Sequence, residues 1–558
     1  MDKSYQWETA IDSIWGNGLP TEKKLAIYDT ATTTIQHNFA CFQNLPVNYD
    51  SLINLYRNEI ILGISHGRFV AIMNYLSMYL YDGHSRFFNE EVNQNTIADP
   101  KIPLVYIGSW GLENRFGAAV TPLPDSSLLV YKVVDDHPLN LCPGDRILGY
   151  DGIPWHKLCQ IIENAQLPIA EIQTKSLFCG NKENLTDAWL TGVGRNWHLF
   201  DTLDVYKYST GDTVHFETKA LYGKSFHLYC TEQLSVEGIS MPDISSEDPV
   251  SWGIVKDENI GYVYVSSWTW RNAGGEFYNA LDSLINVHNI KGLIIDLRYN
   301  HGGYVNSSIS GLRLLFKEKP PNMGYARRSN PDDYEAMIHQ WAFQLFPDSS
   351  KYFYNPIAVL VGPKTASATE IIAFWFSYHP YVRIFGRHTH GSFAGAHAIS
   401  LSDSGWHAYY AHYNIIVDTD PIQYLSHISA PVDENIWFTA EAVANGIDPV
   451  VERAIQWIQS ETKIAYQDNI PQQFSVYQNY PNPFNATTTF HFYLPHPEQT
   501  TIEIYDILGR LVETVAPKNL PSGTNKVNWK SDQLPSGIYF YKVITPSLSL
   551  GRKMIIIK

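Results

Sequence analysis

Lys291-Gly-Leu-Ile-Ile-Asp296-Leu-Arg298-Tyr-Asn300-His-Gly302-Gly303 decides the fold. Gly292 to Leu297 is a nearly continuous apolar run, the pattern of a strand covered on both faces. It ends in a loop closed by two glycines, and glycine lets backbone N–H groups turn towards a ligand. Pro356 to Val361 is a second such run. It enters Gly362-Pro-Lys-Thr-Ala-Ser367-Ala-Thr-Glu370, with a helix expected from Ser367 to about Tyr378. Gly261 to Val265 reads as a further strand, and Glu276 to Val287 as a helix through Phe277, Leu281, Leu284 and Ile285. This alternation of strands and helices over residues 250–460 is an α/β pattern.

Two of these segments offer chemistry. Ser367 stands where an apolar strand turns into a helix, a place that exposes a hydroxyl and sets it beside the positive end of a helix dipole. The same Ser367-x-x-Glu370 spacing is that of a capping box, in which the hydroxyl satisfies helix amides. The Gly302-Gly303 loop and the Ala368 amide together offer two halves of an oxyanion hole, although a plain strand-to-helix turn has the same composition.

Outward from this core, residues 1–100 read as a helical region. Phe69, Ile72, Met73, Leu76 and Leu80 recur at helical spacing, and the run is expected to stop at Asp82-Gly83, just before His84. Residues 104–165 are β-rich, with Ser127 to Val134 as a strand and Pro143 to Gly152 as turn, short strand and turn. Residues 166–249 form an insert, in which Thr213 to Cys230 reads as a hairpin turning at Tyr222-Gly223-Lys224. Residues 461–473 are polar and read as a linker. Residues 474–558 return to alternation, as in Thr501 to Tyr505 and Ile538 to Val543, and read as a small β-sandwich.

Composition narrows the class. The chain has 558 residues and a formal net charge of −16, which argues against nucleic acid as a partner, because phosphate binding needs a basic footprint. No run of about 18 apolar residues marks a membrane span. Met1 to Ala10 is polar and lacks the apolar core of a signal peptide. The cysteines, at 41, 142, 159, 179 and 230, follow no metal spacing and are odd in number, so neither a metal site nor a disulfide scaffold is expected. His388, His390, His397, His407 and His412 crowd together in sequence, but their spacings match no metal-ligand pattern.

The quoted motifs resemble those of the tail-specific, or C-terminal processing, serine peptidases. Lys291 to Gly303 is similar to their strand-and-glycine motif, and Thr365-Ala-Ser-Ala-Thr-Glu370 to their nucleophile motif, with Ser367 as nucleophile. Gly386-Arg-His-Thr389-His-Gly391 resembles the segment that follows, Asp448 to Ala454 the closing helix, and Pro143 to Gly152 the end of their PDZ domain. The resemblance spans roughly residues 60–460 and implies a crotonase-like α/β catalytic core at 250–460, with a PDZ-like domain at 104–165. Those peptidases take a lysine as base, directly after the Gly-x-x-Thr-x-Gly segment, and here that position is Ser392. Lys364 lies on the turn before the nucleophile. The tricorn-like and retinoid-binding-protein-like branch lacks the lysine, and Asp82-Gly-His84-Ser resembles its Asp-Gly-His-Thr motif, so His84 carries over as base. The tricorn member has Ser where Gly83 stands. His390 is the reserve candidate for the base. The orienting acid is expected some tens of residues after the nucleophile, at Glu434 or the neighbouring Asp433. Arg115-Phe116-Gly117 stands at the peptide-binding loop of the PDZ-like domain.

Tyr477 to Asn485, Ile504 to Arg510, Leu534 to Tyr539 and the closing Gly551-Arg-Lys553 resemble a type IX secretion sorting domain. The expectation is a secreted or cell-surface serine endopeptidase acting on polypeptides, exported by the type IX machinery, with its signal segment outside this sequence and no cofactor. The alternative is a non-catalytic binder of apolar ligands or peptides on the same fold.

Overall fold

The computed structural model describes residues 9, 12–13, 15–43, 45–90, 116–125, 127–157, 200–221, 226, 228, 233–240, 248–269, 272–348, 352–393, 395–402, 405–467, 474–521, 523–531, 534–546 and 548–557. They fall into two compact units, Met1–Gln459 and Ser460–Lys558. Among the described residues no helix is long and apolar enough to cross a membrane.

The first unit opens with helices α1 (Thr21–Asn38), α2 (Tyr49–Ile61) and α3 (His66–Met78), then strand β1 (Arg86–Asn89). The apolar face expected between residues 66 and 80 is buried, with Phe69, Ile72, Met73, Leu76 and Leu80 all inaccessible. The helix stops earlier than Asp82, at Met78, and Tyr81 turns the chain with φ +46°.

Strands β2 (Ala118–Pro122), β3 (Leu128–Val133), β4 (Arg146–Tyr150), β5 (Ile153–Pro154), β6 (Thr202–Tyr206) and β7 (Thr213–Glu217) form one antiparallel sheet. Strands β6 and β7 extend it in the order β2-β3-β4-β6-β7, so the sheet runs beyond the expected boundary at residue 165. The hairpin is displaced too. Thr213–Glu217 is its second strand, the turn closes through Lys207 and Asp212, and a short 3-10 turn follows at Thr218–Leu221. The expected turn at residues 222–224 lies outside the described residues.

The α/β core comprises β8 (Val250–Ile254), β9 (Ile260–Val265), α4 (Ala273–Asp282), β10 (Gly292–Asp296), α5 (Val305–Leu312), β11 (Met323–Arg328), β12 (Met337–Phe343), β13 (Ile357–Val361), α6 (Ala368–Phe376) and β14 (Val382–Gly386). It continues with β15 (Ala396–Ile399), β16 (Trp406–Ala411), β17 (Asn414–Val417), β18 (Gln423–Tyr424), β19 (Glu434–Asn435), α7 (Ala440–Ala444) and α8 (Pro449–Gln467). The central sheet has the order β19-β14-β13-β10-β9-β8 and is parallel except at β8. Every residue of β9, β10 and β13 is buried, as continuous apolar runs require of strands covered on both faces. The carboxyl ends of β10 and β13 are adjacent, so the loops after them, 297–303 and 362–367, meet. Strand β1 pairs with β16, which brings the loop after α3 to the same end of the core.

The expected linker begins inside a helix. α8 continues to Gln467, burying Val450, Val451, Ala454 and Ile458. Residues 468–473 lie outside the described residues. The second unit is a sandwich of two antiparallel sheets, built from β20 (Ser475–Val476), β21 (Thr487–Leu494), β22 (Glu498–Tyr505), β23 (Leu511–Leu520), β24 (Gly523–Lys530), β25 (Gly537–Ile544) and β26 (Ser549–Ile556). Phe490, Phe492, Ile504, Tyr541 and Met554 alternate inward along its strands to make the core.

Candidate active site

Ser367 has φ +56° and ψ −122°, a conformation that a residue with a Cβ adopts only under strain. The expected capping box forms around this turn, with Ser367 N–H donating to Glu370 Oε2 at 3.2 Å. The turn holds Ser367 half-buried, at the N-terminus of α6.

Opposite Ser367 lies the glycine loop. Gly302 and Gly303 have φ +104° and +128°. A Cβ on Gly302 would stand 2.8 Å from Ser367 Cβ and 2.9 Å from the Ala368 nitrogen, so a side chain there would plug the space beside the hydroxyl. The backbone amides of Gly302, Gly303 and Ala368 differ in what they bond. Gly302 N–H is taken by Asn300 Oδ1 at 3.0 Å, which removes it from the expected set of oxyanion donors. The N–H groups of Gly303 and Ala368 donate to nothing among the described residues. Ala368 opens α6, where helix geometry leaves an amide without an intrahelical partner.

Asn300 locks the two loops together. Its Oδ1 accepts from Gly302 N–H and, at 2.7 Å, from the Thr369 hydroxyl of α6. Its amide donates to the Val265 carbonyl at the end of β9. Behind it, the fully buried Arg298 guanidinium bonds Asp296 at 2.6 Å and Asp448 at 2.9 Å. Both carboxylates raise the Arg298 pKa far beyond what burial takes away. Asp448 Oδ1 also accepts from the amides of Val450 and Val451, so the pair ties the start of α8 to the end of β10.

Glu370 fastens the nucleophile turn to the next loop. Its buried carboxylate accepts from the Thr389 hydroxyl at 2.5 Å, Gly391 N–H at 2.6 Å, Ser392 N–H at 2.8 Å and Ser367 N–H. Burial pushes its pKa up to about 8, against the pull of those four donors.

His84 reaches the site through Ser392. Gly83 N–H donates to Ser392 Oγ at 2.9 Å, and Ser367 N–H donates to the Ser392 carbonyl at 2.9 Å. The His84 side chain keeps 23% exposure, and its Nδ1 stands 3.6 Å from the buried Asp82 Oδ1. Burial alone would raise the Asp82 pKa, but His84, the Ser85 hydroxyl and His427 lower it overall, so the carboxylate is charged beside the imidazole. His390 is fully buried and bonds Ser392 Oγ through Nδ1 at 2.6 Å. Burial, then the neighbouring imidazoles, bring its pKa down to about 3, which leaves it a poor proton acceptor at neutral pH. Lys364 is buried with its ammonium 5.1 Å over the Tyr299 ring.

Glu434, the expected acid, pairs with two arginines. Its carboxylate is held by Arg453 at 2.5 Å and by Arg383 at 3.1 Å. Asp433 is committed as well, accepting from Ile384 N–H at 2.8 Å. The carboxylate beside His84 is Asp82, two residues away in the motif itself. Its signal in the sequence is that short spacing, which lets one side chain face the other across a turn.

At the peptide-binding loop, Arg115 lies outside the described residues. Phe116 is fully buried, and its carbonyl accepts from His137 Nε2 at 2.8 Å. Gly117 has φ +83°, and a Cβ there would meet the Phe226 ring at 2.8 Å. Phe226 therefore covers this loop. Among the described residues no group of three or more His, Cys, Asp or Glu side chains is placed to hold a metal ion.

Residues 259–422 match the model of peptidase family S41, and residues 478–558 match that of a secretion system C-terminal sorting domain. The carboxy-terminal processing protease CtpA of Bacillus subtilis (strain 168) is 32% identical over 137 residues, 25% of this chain and 27% of that protein. The nisin-resistance protein of Lactococcus lactis subsp. lactis is 26% identical over 132 residues, 23% of this chain and 42% of that protein. The chain thus spans less than half the length of either curated relative. Mature CPAF in complex with lactacystin superposes with a TM-score of 0.57 at 12% identity, covering 80% of this chain and 99% of that one. That likeness is one of fold. The sorting domain indicates a secreted or cell-surface location.

Proposed function

Taking residues 259–422 as those of a serine-type peptidase of family S41, we propose that the chain is a secreted endopeptidase with Ser367 as nucleophile, His84 as base and Asp82 as the group that orients His84. The observation that carries this reading is the strained Ser367, at φ +56° at the start of α6 and directly beside the glycine loop. A protein that only capped a helix here would gain nothing from the strain.

Ser367 Oγ attacks the peptide carbonyl carbon, and its proton passes to the free nitrogen of His84. The carbonyl oxygen becomes an oxyanion held by the N–H groups of Gly303 and Ala368, with the α6 dipole behind it. The C–N bond breaks, and the leaving amine takes the proton from His84. Water then gives a proton to His84 and attacks the acyl carbonyl carbon; the ester C–O bond breaks, Ser367 Oγ takes the proton back from His84, and the carboxylic acid product leaves. Asp82 steadies the imidazolium in both halves of the cycle, as a buried carboxylate does in a serine triad. No metal or cofactor takes part in these steps.

The substrates are polypeptides, and the sheet of β2 to β7 is the surface on which an extended chain adds as a strand. The buried Phe116 and the covered Gly117 argue against a free carboxylate site at that loop, so internal bonds are the targets. The C-terminal unit is the address read by the type IX secretion machinery. The test is cleavage of an unstructured protein by wild type, Ser367→Ala, His84→Ala and Glu434→Ala. The first two variants should be inactive and the third active. An active Ser367→Ala, or an inactive but folded Glu434→Ala, overturns the assignment.

A further inference from the structure

Three loops must agree for this site to work: the turn at Ser367, the His84 loop and the segment 389–392. One residue, Ser392, ties all three. Ser392 Oγ accepts from Gly83 N–H at 2.9 Å and lies 2.6 Å from His390 Nδ1. Its carbonyl accepts from Ser367 N–H, and its own N–H donates to Glu370 Oε2 at 2.8 Å. Ser392 is only 2% exposed, so these bonds form without competition from water.

The space beside it is equally specific. A Cβ built on Gly83 would lie 2.2 Å from Ser392 Oγ, 2.8 Å from His390 Cε1 and 2.9 Å from Ser392 Cβ. The hydroxyl of Ser392 thus fills the volume that any side chain at position 83 would need. Gly83 precedes His84 directly, so whatever displaces it displaces the base.

We propose that Ser392 is a positioning residue that sets His84 against Ser367, and that Gly83 and Ser392 form a coupled pair in which only one position can carry a side chain. The proposal rests on Ser367 and His84 acting as described above. Its chemistry is a hydrogen-bonded joint. The Ser392 hydroxyl holds the His84 loop by the Gly83 amide, the His390 imidazole fixes the hydroxyl, and the Ser392 carbonyl holds the nucleophile. No bond is made or broken at Ser392. It stands where the resembling peptidases have their base lysine, and here the position has passed from proton transfer to alignment.

The test is a double-mutant cycle on the full chain, reading kcat and KM on an unstructured protein substrate and the rate at which a fluorophosphonate labels Ser367. Ser392→Ala should lower kcat by roughly 10- to 100-fold, the cost of a misplacement on the order of 1 Å, with KM little changed. Labelling of Ser367 should slow in parallel. Gly83→Ser alone should lose nearly all activity through the clash. Gly83→Ser combined with Ser392→Gly should recover at least about tenfold over Gly83→Ser, because the new side chain then enters the vacated space. A wild type that neither cleaves nor labels would refute the peptidase reading itself. With wild type active, Ser392→Ala within twofold of it, or a double variant no better than Gly83→Ser, overturns this proposal alone. Melting curves separate misfolding from misalignment. If Ser392→Ala does not fold, Ser392→Thr, which keeps the hydroxyl, must retain the wild-type kcat for the proposal to stand.

Discussion

The two units of this chain bury different things. Inside Met1–Gln459 lie Asp82, Asp145, Asp296, Arg298, Lys364, Glu370 and Asp448, all nearly or wholly inaccessible. Among the described residues of Ser460–Lys558, the buried polar side chains are Asn, Thr and Ser alone. A buried charge is costly unless paired and hydrogen-bonded, so it persists where something has to be held in place. In the first unit each ionisable group named near the site fixes a loop: Arg298 with Asp448 behind the glycine loop, the Glu370 carboxyl under the nucleophile turn, Asp82 beside His84. The second unit is held by alternating aromatic and aliphatic side chains between two sheets, which suffices for a module that has only to fold and be recognised.

The contrast breaks first at Asp448. Asp448→Ala strips Arg298 of one carboxylate and α8 of its first-turn acceptor. It should cost the first unit about 3–5 kcal/mol, the range for removing one partner of a buried ion pair. Denaturant unfolding followed separately in the two units should show the loss in the first, with the transition of the second unchanged. A shared loss would mean that the units are not independent.

Gly302→Ala tests the site more than the fold. The added methyl would stand 2.9 Å from the Ala368 nitrogen, where the oxyanion must form. Turnover should fall by about 10²–10³-fold, the scale of a lost oxyanion donor. Unaltered turnover would show that the oxyanion forms elsewhere.

Acid sharpens the contrast further. Burial brings the pKa of His379 down to about 4 and that of His390 to about 3, and in the second unit that of His491 to about 4. In each case the unfolded state binds a proton near pH 6.5 that the folded state refuses. The stability from these groups is therefore complete above pH 6.5 and is lost as pH falls through 4 and then 3. His137 and His412, lowered by burial as well, add to the first unit's loss, and Glu370, whose raised pKa adds stability as pH falls from about 8, offsets part of it; the first unit should still lose more between pH 6.5 and 4, as calorimetry of the separate units would show. Equal losses would count against the neutral state of His390.

The smallest expected effect is that of removing the second unit. A chain ending at Gln467 keeps α8 and its apolar face, so its turnover in vitro should stay within about twofold of the full chain. An inactive truncation would give the β-sandwich a part in catalysis.

The frame of the site was legible because its signals are local. The apolar run 292–297 and the turn at Ser367 each lie within one strand and its exit loop. What joins them is not local. Glu434 looked available as the acid because Arg383 and Arg453, which clamp it, come from β14 and α8. Ser392 read as a missing lysine, since its bonds to Gly83 and Ser367 span the fold. The hairpin was misplaced because the strand Thr202–Tyr206 follows an insert whose length hides its pairing with β4. The start of the linker read as coil from its polar residues, although α8 needs only one apolar face to pack.

The central claim is that Ser367 is held strained because it is the nucleophile. The most direct measurement is exposure of the full chain to a fluorophosphonate, followed by mass mapping of the adduct. The account predicts one adduct, on Ser367, formed at neutral pH and absent from Ser367→Ala. No adduct on Ser367 in a folded chain that cleaves protein, or labelling of another serine that persists in Ser367→Ala, would contradict it.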